Sequence, residues 1–121
     1  FAVKTLFIWF LKMEFREIDY QRESNEVVNL IRNNLNPNYS IEILKWKHLD
    51  NPFGKSASIV AIDDNKIVGV VFVMQYVFRD RLGEEIKCIR FFDACTDKDQ
   101  RGKGVFKSLM NLGFELYKKQ I

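Results

Sequence analysis

The sequence predicts an α+β domain, sandwich-like in its layering, in which a mainly antiparallel sheet packs against helices in the order β-α-α-β-β-β-α. Residues 27–35 and 105–117 repeat apolar side chains at the three- and four-residue spacing of amphipathic helices. Between them, residues 59–95 contain β-branched and aromatic runs separated by short polar turns, which is typical of an antiparallel meander. With 121 residues, of which 47% are hydrophobic, the chain has the size and apolar content of one packed domain.

The first part of the chain predicts one strand and two helices. Residues 13–20 alternate loosely between polar and apolar side chains and are assigned to a short strand. Ser24 or Asn25 can cap the helix that follows, which stops at the next proline. Ser40 can cap a second, shorter helix, which ends near the turn-forming residues 50–52.

The rest of the chain predicts a three-stranded meander and a closing helix. The strands are expected at residues 59–62, 67–78 and 85–95, joined by short turns. The second of them is long and carries few polar residues, so we expect it to be largely buried. The closing helix is expected to begin at Val105 and to pack through its apolar stripe.

Residues 1–12 are strongly apolar but are interrupted by Lys4, and they are shorter than the ~20 residues that span a bilayer. They also lack the cleavage site of a signal peptide, so no membrane partner is predicted. Met13 is a candidate natural start, which would make residues 1–12 an upstream extension or a segment introduced for expression. The alternative is an additional strand or short helix against the core. The predicted domain therefore comprises residues 13–121.

The charge and cysteine content exclude several classes of function. The net charge of +3 arises from 19 basic and 16 acidic residues mixed along the chain, which is too mild to predict nucleic-acid binding. The single histidine, His48, and the two cysteines, Cys88 and Cys95, show no metal-ligand spacing, so no metal is predicted. The cysteines would point to opposite faces of one strand unless a bulge intervenes, so no disulfide is expected and the cytoplasm is the predicted compartment.

The connection between the last predicted strand and the last helix has the properties of an anion site. The first N–H groups of a helix lack intrahelical acceptors, and the helix dipole adds partial positive charge there. Gly102 and Gly104 let a phosphate approach the backbone closely, and Arg101 and Lys103 add full charges beside it. A small polyanionic ligand is therefore predicted. The alternative is a plain glycine turn flanked by solvated lysines.

Two other phosphate-binding motifs fail on their spacing. Residues 54–56 (GKS) end like a Walker A sequence, but Leu49 occupies the position of its leading glycine. A Rossmann fingerprint that begins at Gly102 would require glycine where Lys107 stands, and the preceding strands form a meander rather than a βαβ unit. Neither motif is predicted.

Residues 93–96 (DACT) followed by residues 101–106 (RGKGVF) resemble the acetyl-CoA motif of the GNAT N-acetyltransferases, whose pattern is Q/R-x-x-G-x-G/A. Arg101 matches the first position of that pattern and Gly104 matches the fourth. Phe106 replaces the small residue at the sixth position, which changes the local fit around a pyrophosphate.

The resemblance covers residues 13–121, because the predicted element order is similar to the N-terminal portion of the GNAT fold. Residues 46–54 also resemble a segment found in some bacterial members. The resemblance implies an acyl-CoA N-acyltransferase fold and the transfer of an acetyl group from acetyl-CoA, as co-substrate, to a primary amine of a small molecule or peptide. The implied mechanism is direct attack by the bound amine.

The resemblance also implies the roles of individual residues. The strand end would present backbone groups to the pantetheine arm and the thioester carbonyl, and the turn would hold the pyrophosphate, which places fixed donors where charge develops. An ammonium substrate needs a base, for which Asp93 is the catalytic candidate; the alternative is a hydrogen-bonded strand-end carboxylate. His48 is expected to be structural or exposed. The predicted cofactor-binding residues are Ala94, Cys95, Thr96, Arg101, Gly102, Lys103, Gly104, Val105 and Phe106.

By the same resemblance, a further strand would lie parallel to the one that ends at Cys95 and would bring a tyrosine that protonates the leaving thiolate. The sequence ends at Ile121, so this C-terminal part of the fold is expected to be missing, and Tyr117 fits the helix spacing as a packing residue. The alternative function is a catalytically incomplete half-domain that binds CoA or forms a homodimer through the open sheet edge. A generic phosphate or nucleotide binder is a third possibility.

Overall fold

A computed structural model describes residues 6–8 and 13–118. In chain order the elements are β1 (Leu6–Ile8), β2 (Met13–Glu17), α1 (Tyr20–Asn34), α2 (Ile41–Leu44), a π-helical turn (Lys45–Leu49), β3 (Ala57–Asp63), β4 (Lys66–Arg79), β5 (Glu85–Thr96), a 3₁₀ turn (Lys98–Gln100) and α3 (Val105–Lys118). The strands form one antiparallel sheet in the order β1-β2-β3-β4-β5, so each pairs with its neighbour in sequence. The predicted α+β class is confirmed, with β1 added at the edge of the sheet.

The sheet is covered on both faces, which gives three layers. Side chains alternate along each strand, so one set of residues packs under α1 and α2 and the other set packs under α3. The first core contains Val27, Ile31, Leu44, Val60, Val70 and Phe72, and the second contains Phe15, Ile59, Ala61, Val71, Leu109 and Leu116. Burial on both faces explains the nearly continuous apolar runs of β3 and β4. Among the described residues, no helix has the length and apolar character needed to cross a membrane.

Helix α1 begins earlier than predicted, because Asp19 caps it rather than Ser24 or Asn25. The Asp19 carboxylate accepts hydrogen bonds from the first-turn amides at 3.1 and 3.2 Å. Glu23 reaches back to the amide of Asp19 at 2.8 Å, in the manner of a capping box. The predicted first strand, residues 13–20, is therefore shortened to Met13–Glu17. The predicted cap of the second helix is confirmed, since Ser40 accepts a hydrogen bond from the amide of Ile43.

A close approach between the sheet and α3 fixes where that helix begins. A Cβ atom at Gly69 would lie 2.9 Å from Cδ1 of Leu109 and 3.3 Å from Cγ1 of Val105. Because Val105 is the first residue of α3, glycine at this position of β4 lets the helix start pack directly on the strand. The same contact brings the turn before α3 against the end of β5.

Strand β5 contains a bulge close to its end. Val70 of β4 pairs with Cys95, whereas Phe72 pairs with Phe92, so Asp93 and Ala94 together face a single residue of β4. Asp93 has a φ of 51°, a left-handed conformation that is uncommon for a residue other than glycine. The bulge therefore re-aims the Asp93 side chain. Both cysteines of the chain are free.

Candidate active site

The connection from β5 to α3 is an open backbone turn with the geometry of an anion cradle. Gly102 and Gly104 have φ values of 81° and 79°, and a Cβ atom at either would meet no atom within 4 Å. The turn borders a cavity of about 310 Å³. Since α3 starts at Val105, its free first-turn N–H groups lie at this cavity. The backbone thus has both the donors and the room that a phosphate needs.

The structure brings most of the predicted cofactor-binding residues to this cavity, which is lined by Thr96, Arg101, Gly102, Gly104, Val105 and Phe106, and also by Gln100 and Lys107. Lys103 does not line it. Ala94 and Cys95 lie before it on β5, on opposite faces of the strand, and pack into the two cores. Phe106 is half exposed, so its ring lies at the protein surface rather than beneath the turn.

The two cations of the turn bond within the turn and to its neighbours. The Arg101 guanidinium donates to the main-chain oxygen of Thr96 at 3.3 Å and to that of Asn34 at 3.5 Å. Lys103 Nζ donates to Gln100 Oε1 at 3.2 Å. These contacts brace the turn against β5 and α1. The positive charges remain at the rim of the cavity, where they attract an anion at longer range.

Thr96, at the junction of β5 and the turn, carries a buried hydroxyl that has no hydrogen-bond partner among the described residues. The residue is 6% exposed and lines the cavity. A buried polar group without a partner is uncommon in folded proteins and points to a ligand or an ordered water. Together with the open glycine turn, this hydroxyl makes the cavity a fit for a phosphate-bearing ligand.

Cys95 does not have the properties of a nucleophile. The residue is buried in the core under α1, and this burial raises the pKa of its thiol to about 12. Because the thiolate is the reactive form, the thiol is inert at neutral pH. Any acyl transfer at this site would therefore bypass Cys95.

A polar network surrounds Asp93 at the bulge. Tyr39 Oη donates to Oδ2 of Asp93 at 2.9 Å, and Lys47 Nζ donates to Oδ1 at 3.0 Å. His48 Nε2 lies 2.8 Å from Oδ2, and its Nδ1 lies 2.9 Å from Ser56 Oγ. The Asp93 side chain is only 11% exposed. Its carboxylate is therefore engaged by three donors and largely withdrawn from water.

Two consecutive side chains that reach the same carboxylate, those of Lys47 and His48, lie in the π-helical turn. In a regular α-helix, neighbouring residues point about 100° apart. Here the amide of Asp50 donates to the carbonyl of Lys45 at 2.8 Å. This hydrogen bond joins residues five apart, as in a π-helix, rather than four apart as in an α-helix. Both Lys47 and His48 belong to this turn, and both contact the Asp93 carboxylate.

The buried His48 residue is fixed through its ring and through its main chain. It stacks on Phe72, with ring centres 3.9 Å apart, and the main-chain oxygen of His48 accepts a hydrogen bond from the amide of Ser56 at 2.8 Å. Tyr20 Oη in turn donates to the main-chain oxygen of Ser56 at 2.8 Å. The network thus ties α1, the π turn and the segment before β3 to the bulge of β5.

The protonation states follow from burial and from the hydrogen bonds. Burial would raise the pKa of Asp93, but the hydrogen bonds from His48, Lys47 and Tyr39 outweigh it and hold the pKa below its usual value. Burial lowers the pKa of His48 despite the opposing effect of Asp93. A neutral His48 donates Nε2–H to the carboxylate and accepts at Nδ1 from the Ser56 hydroxyl.

We expect the stability of the protein to fall as the pH is lowered from about 6.5 to 5, because His48 is buried in its neutral form. Its folded-state pKa lies below its ordinary value of 6.5, so the unfolded state binds more protons in this window. The stabilisation is complete above pH 6.5 and is lost towards the folded-state pKa. Urea unfolding midpoints measured across this range test the prediction.

His48→Gln is the matched variant, because His48 is the only histidine in the chain. The variant should be less stable overall, and its midpoint should change much less between pH 6.5 and 5. An equal pH slope in both proteins would contradict a neutral buried His48.

Sequence reasoning missed the partners of Asp93. Tyr39 carried no motif, and neither residues 46–54, which include Lys47, nor residues 54–56, which include Ser56, were connected with Asp93. His48 was expected to be structural or exposed, of which the structure shows the first. The only local sign of this network was the cluster of polar residues before and after α2. These residues form the network only by contacting β5, and sequence spacing does not reveal that contact.

The antiparallel sheet, in which a bulged strand runs into a glycine turn at a helix start, has the fold of solved acyl-CoA N-acyltransferases. A family model described as "Acetyltransferase (GNAT) domain" matches residues 14–120. The chain therefore belongs to the GNAT acetyltransferase family, and the resemblance seen in the sequence is confirmed. A search of curated proteins returned no match.

Several solved structures are similar to this chain. A probable N-acyltransferase from Enterococcus faecalis has a TM-score of 0.69 at 14% identity over 90% of this chain, which spans only 27% of that longer protein. A predicted acetyltransferase from Clostridium acetobutylicum, solved with acetyl-CoA, has a TM-score of 0.68 at 15% identity over 89% of this chain and 75% of its own. Glucosamine-6-phosphate N-acetyltransferase from Arabidopsis thaliana has a TM-score of 0.65 at 16% identity over 89% and 76%. At these identities the likeness shows the fold.

Proposed function

We propose that the chain is an acetyl-CoA-dependent N-acetyltransferase that moves an acetyl group to a primary amine by direct attack. The observation that carries the proposal is the path of the chain from the bulge at Asp93, through the unpaired hydroxyl of Thr96, into the open turn at Gly102 and Gly104. Membership of the family and the similar structure solved with acetyl-CoA support the choice of co-substrate.

The proposal assigns the two ends of the co-substrate to two parts of this path. The N–H groups of residues 102–106 and the Thr96 hydroxyl would hold the pyrophosphate, with Arg101 and Lys103 at the rim. The main chain of residues 93–96 would face the pantetheine arm and the thioester. Acetyl-CoA supplies the acyl group: a C–N bond forms, the C–S bond breaks, and the amine loses one proton as the thiolate leaves and is protonated.

Asp93 is predicted as the catalytic base, and we propose instead that it acts as a positioning residue. Three donors occupy its carboxylate, and its lowered pKa makes it a weak proton acceptor. Its hydrogen bonds hold the left-handed bulge in place, and with it the main chain that would face the thioester.

A self-associating half-domain remains the second candidate function, because β5 is an edge strand. Of its twelve residues, all but the two in the bulge pair with β4 on one side, and no described strand covers the other side. An exposed strand edge favours the addition of a strand from a second copy. A strictly monomeric and stably folded chain in sizing chromatography would count against this function.

Calorimetric titration with acetyl-CoA, CoA and ATP tests the proposed co-substrate. We expect acetyl-CoA and CoA to bind and ATP to bind much more weakly, because ATP lacks the pantetheine arm that β5 would receive. Release of free thiol in the presence of an amine would then report transfer. ATP binding equal to that of CoA would contradict the acetyltransferase assignment and favour a generic nucleotide site.

A further inference from the structure

We propose that the acceptor is a primary amine carried on an aromatic or apolar body that also bears an anionic group, and that it binds in a cavity between the π turn and the β4–β5 pair. This inference rests on the proposed acetyl transfer and specifies its second substrate. It is carried by three properties of the cavity, namely its lining, its position and its charge.

The lining of the cavity is mainly apolar and aromatic. The cavity has a volume of about 310 Å³, and its walls include Trp46, Met74, Tyr76 and Phe92. Its size is at the lower end for sites that bind small molecules. Trp46 is 72% exposed, which leaves most of its large apolar surface available to a ligand. The Tyr76 and Phe92 rings lie 6.2 Å apart at an angle of 57°.

The position of the cavity links it to the bulge. Phe92 directly precedes Asp93 in β5, and Lys47, which also lines the cavity, donates to the Asp93 carboxylate at 3.0 Å. A ligand in the cavity would therefore lie beside the main chain that we assign to the thioester. The larger cleft of the protein, about 570 Å³, is lined by residues 17–21 and 55–58 and includes neither Asp93 nor the glycine turn.

The charge of the cavity disfavours a polycation. No Asp or Glu is among its lining residues, and Lys47 is already paired with Asp93. The Arg90 guanidinium lies 4.8 Å from the centre of the Phe92 ring and forms no ion pair with any described residue. Arg90 is exposed and does not itself line the cavity, but its guanidinium beside the Phe92 ring is available to an anionic group that extends from a ligand stacked there.

The apolar lining of the cavity also affects the protonation state of the acceptor amine. Moving an ammonium group into apolar surroundings lowers its pKa, because burial disfavours the charged form. An ammonium group that enters this cavity thus gives up its proton to water more easily, which lessens the demand for a side-chain base.

Acetylation rates of three probes test the inference. Phenylalanine carries an aromatic body and a carboxylate, phenethylamine carries the body alone, and kanamycin is a polycationic amine without an aromatic ring. We expect kcat/KM to fall in that order, with kanamycin the poorest acceptor. Faster acetylation of kanamycin than of phenylalanine would overturn the inference.

Two pairs of variants connect the rates to the cavity. Trp46→Ala should lower kcat/KM for phenylalanine by about tenfold, mainly through KM, because it removes an aromatic wall. Phe53→Ala, which truncates another exposed aromatic residue nearby in sequence, should leave the rate unchanged. Arg90→Gln should abolish the preference for phenylalanine over phenethylamine, whereas Lys87→Gln on the same strand should keep it. An Arg90→Gln variant that retains the preference would overturn the role of the anionic group.

A binding measurement separates this inference from the proposed transfer. The chain has two tryptophans, so a Trp9→Phe variant leaves Trp46 as the only one. Phenylalanine, titrated with and without CoA, should change its fluorescence saturably. If acetyl-CoA binds but phenylalanine gives no saturable change in either condition, the acceptor inference fails and the proposed function stands. If acetyl-CoA does not bind, the proposed function fails, and the titration still decides whether the cavity takes this class of ligand.

Discussion

Gly104→Trp is expected to abolish acetyl-CoA binding while the protein still folds. Gly104 lies in the turn at the start of α3, where nothing within 4 Å opposes a Cβ atom and the space borders the proposed pyrophosphate site. An indole ring would fill that space. The left-handed φ of 79° adds a backbone cost of about 1–2 kcal/mol for any L-residue, which a domain of ordinary stability survives.

Gly83→Trp is the matched control for this experiment. Gly83 has a φ of 82° and equally open surroundings, but it lies in the turn between β4 and β5. The two variants therefore carry the same backbone strain and the same added bulk. Calorimetry with acetyl-CoA should show lost binding only for Gly104→Trp, and circular dichroism should show both proteins folded. Equal affinity in the two variants would place the co-substrate elsewhere.

Asp93→Asn is expected to lower both stability and activity. The substitution removes the charge that pairs with Lys47, and it directs an amide N–H₂ group at donors that need an acceptor. Breaking a largely buried ion pair in this way costs about 3 kcal/mol, equivalent to a fall in Tm of roughly 10 °C for a domain of this size. Thermal unfolding measures the loss of stability. Acetyl-CoA affinity measures the effect on the site, because the network holds the main chain that would face the thioester.

Asp64→Asn is the control for the backbone, since Asp64 also has a φ of 51° but is exposed in the turn between β3 and β4. Asparagine is tolerated in this conformation, so Asp64→Asn should leave the Tm nearly unchanged. The pair also separates two roles of Asp93. If Asp93→Asn kept its Tm and its acetyl-CoA affinity but lost kcat, and if raising the pH restored the rate, Asp93 would be a base and not a positioning residue.

In the proposed site, the backbone and the side chains have different roles. Backbone N–H groups at the turn would bind the co-substrate, and they need only glycine and a helix start. Side chains around Asp93 would fix the bulge, and they need α1, the π turn and β5 to pack together. A change in the network should therefore affect the thioester end of the site before it affects the phosphate end.

The sequence by itself predicted most of the elements, because these depend on local spacing, and its resemblance to the GNAT motif indicated the family that the family model then showed. We could identify the apolar periodicity, the Ser40 cap and the motif at residues 101–106 without knowing any tertiary contact. The start of α1 was also encoded locally, in Asp19 and Glu23, although the prediction placed the cap later. Helix caps and glycine turns depend on only a few neighbouring residues, so they can be predicted from the sequence alone.

Only the tertiary structure decided what surrounds Asp93 and where the cations of the turn point. The three donors to its carboxylate lie 45 to 54 residues away in sequence. They reach it only because the connection between α1 and α2 and the π turn pack against the bulge of β5. Arg101, expected to add its charge beside a phosphate, lines the cavity and donates to main-chain oxygens of Thr96 and Asn34, contacts that its position in the sequence did not reveal. Hydrogen-bond partners are chosen by distance in space and by the need to satisfy buried polar groups, and neither can be read from spacing along the chain.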